Sequence, residues 1–397
     1  PPYYYSIARN IVTEDIESSV LDIRILNSLV GVIFIALALS LHARRSWTLA
    51  MLALALAVPL ATFFVASVNP TGLAISGVTA FTLSAAALVR REQILRRLAA
   101  PAVLFIASSL LSFGSRRDAI AYCALLGFSA IGLDAIPRFQ RGGSILGGVR
   151  SILTRPSTIV VGATSLTLGV LFLLSGIGSV VTGGLDGDVE GRDATTVFFS
   201  NVVEFPKFLG GFFMGPGWGL GWLDTQMPLV VPLFAVVATV LVFQPMLVDT
   251  GLPEKVMLAI TFVIIAVLSL TALQADLRYV GESVQPRYLY PLFVATMLLV
   301  AARSSVRVGT MSIIVAGAMV ATAHSVALRT NIRRYTTGLD VRSWRLDEPR
   351  EWWWSSGMSP TETWIAGSVG FTMAFALCAV ASRAFDGETS RVSGAGA

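Results

Sequence analysis

Residues 256–274 read VMLAITFVIIAVLSLTALQ, an uncharged run bracketed by Glu254 and Lys255 on one side and Asp276 on the other. A helix needs about 20 residues to cross the ~30 Å hydrocarbon core of a bilayer. Lipid offers the backbone no hydrogen-bond partner, so a run of this length spans as a helix; no segment alternates as a membrane strand would. Similar runs recur near 24–41, 48–66, 72–89, 98–113, 119–136, 157–182, 228–247, 289–302, 309–327 and 364–382. With 256–274 they make about eleven spans. The runs at 98–113 and 289–302 are short, and tilted, re-entrant or merged helices are expected there. The predicted fold is all-α, a polytopic transmembrane helical protein forming one integral membrane domain over residues 1–397.

Composition agrees. Hydrophobic residues make up 54% of the 397 residues and charged ones 13%, with a mean hydropathy of +0.73, too apolar for a water-soluble globule. The formal charge of +5 comes from residues in loops, which form no continuous basic face, so no nucleic-acid partner is expected. Cys123 and Cys378 lie inside apolar runs and read as small buried residues rather than a disulfide or metal framework. His42 and His324 stand alone at span ends and receive no catalytic role. The chain opens at Pro1 without a methionine or a charged-then-apolar leader; a first membrane helix and first outer loop are therefore expected upstream.

Loop charge sets the orientation. With the segment before Asp22 outside, the inside loops hold Arg44 and Arg45, Arg90 to Arg97, Arg138 to Arg155, Lys255, Arg303, Arg307 and the tail after Arg383. Basic residues predominate in those loops and acidic residues outside, as the positive-inside bias requires. Arg116 and Arg117, in a short outside loop, run against it. The long or aromatic-rich segments 1–22, 183–227 and 328–363, with 275–288, all fall outside, so any chemistry is expected there.

Several residues at those outer edges are candidates. Tyr4, in Pro1-Pro2-Tyr3-Tyr4-Tyr5, reads as an interfacial anchor or as part of a cleft, and Asp22 with Arg24 as helix-end charges or a pair. Asn69, in Ser67-Val68-Asn69-Pro70-Thr71-Gly72, reads first as a turn and helix cap. The glycine-rich stretch from Gly215 ends in Trp222 and Asp224. The indole is a platform for a sugar or for interfacial lipid, and the carboxylate a base, a metal ligand or a cap. No phosphate-binding P-loop is present. Asp186, Asp188 and Glu190 imitate the start of a calcium loop, but Val197 occupies the position that needs a bidentate acid, so a solvated turn is expected. In Gln285-Pro286-Arg287-Tyr288-Leu289-Tyr290-Pro291 an arginine sits at a span mouth, where its fork suits a phosphate or carboxylate; the plain alternative is a snorkelling arginine paired with a protein acid. Arg329, Arg333, Arg334, Arg342 and Arg345 with Trp352, Trp353 and Trp354 read as a basic, tryptophan-rich interfacial segment.

PPYYY, DIRILN, SVNPTG, GWLDTQMP and QPRYLYP, in this order and at span edges, resemble the bacterial membrane family called domain of unknown function 2142, over essentially the whole chain. That family is similar to the GT-C class of membrane glycosyltransferases. The resemblance implies transfer of a sugar from a polyprenyl-phosphate carrier to an envelope glycan or lipid, on the outer side of a bacterial cytoplasmic membrane crossed many times. Its partners would be membrane lipids, the lipid-linked sugar and the glycan acceptor; it implies no organic cofactor and leaves a divalent metal and the oligomeric state open. The class carries its catalytic acid in the first outer loop, which is expected upstream of Pro1. The matched positions are Asn69, Trp222, Asp224, Arg287 and Tyr288, with Tyr4 beside them; Asp224 is the catalytic candidate and the others substrate contacts. A transporter or lipid flippase and a non-catalytic envelope scaffold are the alternatives; charges at span ends and the lack of a clear repeat weigh against transport.

Overall fold

A computed structural model describes residues 2–394 except 43–45, 91–94, 143–153, 176–190, 221–224, 339, 342 and 356. In chain order its helices are α1 Pro2–Ala8, α2 Ile16–Ser40, α3 Ser46–Leu56, α4 Pro59–Val65, α5 Pro70–Arg90, α6 Leu95–Ser115, α7 Arg117–Gly142, α8 Pro156–Leu174, α9 Ala194–Gly210, α10 Val230–Asp249, α11 Leu252–Ala275, α12 Pro286–Ala301, α13 Thr310–Thr336 and α14 Pro360–Gly394. A two-residue strand pair, β1 Gly219–Leu220 antiparallel to β2 Thr225–Gln226, is the sheet among the described residues. Nine helices there are long and apolar enough to cross a membrane: α2, α5, α6, α7, α8, α10, α11, α13 and α14. The bent pair α3–α4 and the shorter α12 account for the other two apolar runs. The chain is an all-α, multi-pass membrane protein.

The chain divides into two compact units, the first formed by Pro1–Ser46, Phe64–Val203 and Met246–Ser305, the second by Trp47–Phe63, Glu204–Pro245 and Val306–Ala397. In the first unit α5 is the central helix, packed by α2, α6, α7 and α12, and 94% of its apolar window is buried. Small residues permit that, because they let helix backbones approach closely where lipid supplies no hydrophobic drive. A Cβ on Gly31 of α2 would stand 2.9 Å from Ser76 Oγ, and one on Gly77 would stand 2.7 Å from Ser112 Oγ of α6. Buried hydroxyls on α5 turn back to their own helix: Ser76 donates to Gly72 O at 3.1 Å and Thr82 to Val78 O at 2.7 Å. The helices α5, α8, α12 and α14 all begin on a proline, whose missing N–H costs nothing in a first turn.

Two span expectations change, and the run expected to be short at 289–302 stays short. The run at 98–113 belongs to the 21-residue α6 and is long enough to cross. The run at 289–302 is the 16-residue α12, about 24 Å long. It falls short of the hydrocarbon thickness, yet every residue from Leu289 to Ala301 is buried, so protein rather than lipid surrounds it. The run at 48–66 is not one straight crossing: α3 and α4 meet at a 93° bend. In the second unit a neighbouring side chain bonds the backbone there. Thr239 Oγ1 of α10 donates to Ala55 O at 3.2 Å.

The segment 183–227, expected as an outer loop, contains α9 and the strand pair, while 183–190 lie outside the described residues. Asp193 caps α9, accepting from Thr196 N at 2.7 Å and from Thr196 Oγ1 at 2.8 Å. In the second unit Trp218, 2% exposed, donates from Nε1 to Lys207 O at 2.8 Å and meets Phe208 edge-on at 5.9 Å.

Candidate functional site

The site at the sequence-assigned outer end of the first unit is assembled from the middle of α2, two to three turns past its start at Ile16, and from the starts of α5, α7 and α12. Asn27, one turn into α2 beyond Arg24, donates from Nδ2 to the Tyr4 hydroxyl at 2.9 Å and to Ser67 O at 2.8 Å. Arg24 Nε reaches Ala66 O at 2.8 Å. The loop entering α5 is thus tied down from α1 and α2. Burial pushes the Tyr4 phenol up, with the Asn27 hydrogen bond opposing, so Tyr4 stays neutral. Asn69 takes the capping role: Oδ1 accepts from Thr71 N at 2.9 Å, and Pro70 opens the helix. Gly72 is required next, because a Cβ there would overlap Phe64 O and Val65 Cα at the end of α4.

Arg116, between α6 and α7, forks onto Asp118 with contacts of 2.7, 2.9 and 3.2 Å, and its Nη1 lies 3.3 Å from Thr71 Oγ1. Its guanidinium carbon sits 4.7 Å from the centre of the Tyr288 ring. Tyr122 donates to Tyr288 O at 3.1 Å, fixing the first turn of α12. Arg116 therefore runs against the loop-charge bias without leaving a bare charge, since Asp118 neutralises it at once.

Arg287 behaves otherwise. Its guanidinium carbon lies 5.0 Å from the Phe64 ring centre and 5.3 Å from that of Tyr288, and no carboxylate among the described residues pairs with it. Its Nε is buried without a hydrogen-bond partner, and so is Gln285 Oε1 two residues earlier. Buried polar atoms are normally satisfied, so two orphans in one Gln-Pro-Arg turn depart from that rule. The fork suits an anion, and the two rings lie within cation–π distance of it.

Asn69, Arg287 and Tyr288 come together through Thr71 and Arg116, and Tyr4 joins them through Asn27 and Ser67. Trp222 and Asp224 lie outside the described residues, as do Asp186, Asp188, Glu190 and Arg342. The Arg116–Asp118 pair, Thr71, Tyr122, Phe64 and Gln285 are additions that sequence reasoning passed over; the charge alternation Arg-Arg-Asp was the available signal for the pair. Among the described residues no three His, Cys, Asp or Glu side chains gather as metal ligands.

The opposite end of the first unit is closed by its own charges. Arg303 pairs with Glu254 at 3.0 Å and donates to Leu133 O at 2.9 Å, and Arg90 donates to Ala302 O at 2.8 Å.

A family model described as a predicted membrane protein, domain of unknown function 2142, matches residues 1–296. The match takes in every rim residue named above and stops within α12, so 297–397 fall outside it and the resemblance covers less than the whole chain. No curated protein and no solved structure matches. With most of its length and its whole rim inside that match, the chain belongs to the domain of unknown function 2142 family of membrane proteins.

Proposed function

We propose that the rim of the first unit binds the phosphate of a lipid-linked sugar and that the protein transfers the sugar to an envelope acceptor outside the cytoplasmic membrane. The observation that carries this is Arg287, a cation close to two aromatic rings with no acid paired to it among the described residues. In the reaction an acceptor hydroxyl attacks the anomeric carbon from the face opposite the phosphate and the C–O bond to the phosphate breaks. The departing phosphate takes the bonding pair and rests against Arg287, while the hydroxyl proton passes to a carboxylate. Asp224 is the acid this sequence offers for that proton, and Trp222 the platform for the sugar ring. Placing the charge developed on the phosphate against a fixed guanidinium is differential binding of the transition state. The test is transfer from polyprenyl-phosphate sugars by the full-length protein in liposomes. Transfer that falls with Arg287→Gln supports the reading; no transfer with any donor, joined to unchanged envelope glycans in a deletion strain, removes it.

One observation favours a second reading, transport. The 93° break between α3 and α4, with the Ala55 carbonyl bonded by Thr239, is the kind of interrupted span that transporters build into a substrate path. Counterflow of a labelled lipid-linked sugar in proteoliposomes, without any sugar transfer, would select it.

A further inference from the structure

In the second unit, α13 and α14 run antiparallel, joined towards one end by polar and ring contacts. There, Trp364 Nε1 donates to Ser325 O at 3.0 Å, Ser368 Oγ reaches Ser325 Oγ at 2.9 Å, and the Phe371 ring stacks on His324 with centroids 3.7 Å apart. A Cβ on Gly367 would stand 2.5 Å from Leu328 Cδ2, so the glycine makes room for that leucine. Beyond Phe371 the facing side chains shrink to Gly317, Ala318 and Ala321 on α13 and Ala376 and Ala379 on α14. Their small size leaves a groove of about 340 Å³, within the range of ligand sites. Its floor is Phe375, 3% exposed, whose ring lies 2.8 Å from where a Gly317 Cβ would be.

The lining reaches along α14 from Thr372 to Arg383, about 16 Å at 1.5 Å per residue. That is about half of the ~30 Å hydrocarbon core, the depth of one leaflet. Ile314 and Val380 on its edges are exposed, so the groove opens sideways, where lipid surrounds a spanning helix pair. At its far end stands Arg383, exposed and without an acidic partner among the described side chains.

We propose that this groove seats one acyl chain of an anionic phospholipid from the leaflet nearest Arg383, with the lipid phosphate paired to the guanidinium. A spanning helix of a second copy would need twice the length. Lipid tails are as apolar as the groove wall, so chain burial alone favours no headgroup, and the choice rests on Arg383. One basic side chain at the headgroup level gives about a five-fold preference for the charged lipid, which is about 1 kcal/mol.

The experiment incubates the purified, delipidated chain with phosphatidylglycerol or with phosphatidylcholine of the same chain length and counts retained lipid by native mass spectrometry. Phosphatidylglycerol should be retained about five-fold better, and Arg383→Gln should erase that preference. Ala376→Phe, at an exposed position, fills the groove and should lower retention with Arg383 intact. Equal retention of both lipids by the unaltered chain, or unaltered phosphatidylglycerol retention in both variants, overturns the proposal. So does a dimer that Ala376→Phe dissociates, because the groove would then belong to a second copy.

Discussion

At the residue scale three arginines have three different settings, and the differences make predictions. Arg116 forks onto Asp118, whose side chain is 4% exposed; Arg303 pairs with Glu254; Arg287 has two rings and no acid among the described residues. Arg287→Gln should barely move thermal unfolding, since it forfeits only ring contacts worth about 0.5–1 kcal/mol. It should weaken binding of a phosphate-bearing ligand by about 10- to 150-fold, the 1.5–3 kcal/mol of a hydrogen bond to a charged group. Calorimetric titration reads that change. Arg116→Gln should do the reverse, destabilising the fold by about 3 kcal/mol because Asp118 is left buried and unpaired. Arg287 was legible in the sequence because prolines frame it at a span mouth, whereas Arg116 was not. A linear chain gives the signs of neighbouring charges but not whether two of them share one buried geometry. Glycines carry a similar hidden constraint. A Cβ on Gly127 of α7 would overlap Ser165 Oγ of α8, so Gly127→Ala should lower stability by about 1–3 kcal/mol despite alanine's better helix propensity. Pairing it with Ser165→Gly should restore most of the loss in detergent melts; a double variant no more stable than Gly127→Ala would place the strain elsewhere.

At the element scale, hydrophobic runs located the spans but not their continuity. The α3–α4 run is apolar from end to end, and nothing in it announces a 93° bend, because the side chain that bonds its backbone there, Thr239, belongs to a helix far along the chain. Nor did apolar counting find α9, which is capped by Asp193 and docks by polar contacts. Asn201 Nδ2 donates to Arg278 O at 2.8 Å, Asn201 Oδ1 accepts from Val280 N at 2.9 Å, and Arg192 forks onto Glu282 at 2.6 and 3.1 Å. The Arg192 hydrogen bonds, against a smaller cost of burial, hold the Glu282 carboxyl below its usual range. A depressed folded-state pKa means that the docking energy is fully present above the ordinary glutamate value of about 4.3 and is lost as pH falls through the lowered one. Acidification below about pH 4 should therefore raise amide hydrogen exchange across the first turns of α9 while α5 stays protected. Glu282→Gln should show the raised exchange already at neutral pH and flatten the dependence on acid; an exchange profile in that variant that still steps up on acidification would assign the transition to another group.

At the scale of the whole molecule, the two ends of the first unit differ in kind. One end is closed by Arg303, Glu254, Arg90 and Asp249, with Asp249 Oδ2 accepting from Ser304 Oγ at 2.9 Å. The other end leaves Arg287 Nε and Gln285 Oε1 unsatisfied, with the Arg287 guanidinium near the Phe64 and Tyr288 rings. Loop charge assigns the first end to the cytoplasm and the second to the outside, and the glycosyl-transfer reading depends on that assignment because its donor is displayed on the outer face. Thr195, exposed at the start of α9, and Ser305, exposed just after α12, report the two ends. In a Cys378→Ser background, with Cys123 buried, Thr195→Cys should react with an impermeant maleimide in intact cells, and Ser305→Cys only after permeabilisation. The reverse pattern would turn the rim toward the cytoplasm and remove the outer-face donor while leaving the helix packing untouched. Reaction of both from one side would mean that an odd number of crossings does not separate them, and the alternation of spans from α10 to α12 would have to be redrawn. The charge bias rests on many loops at once. Arg116, its local exception, is already neutralised by Asp118, so the expected outcome is an outward-facing Arg287.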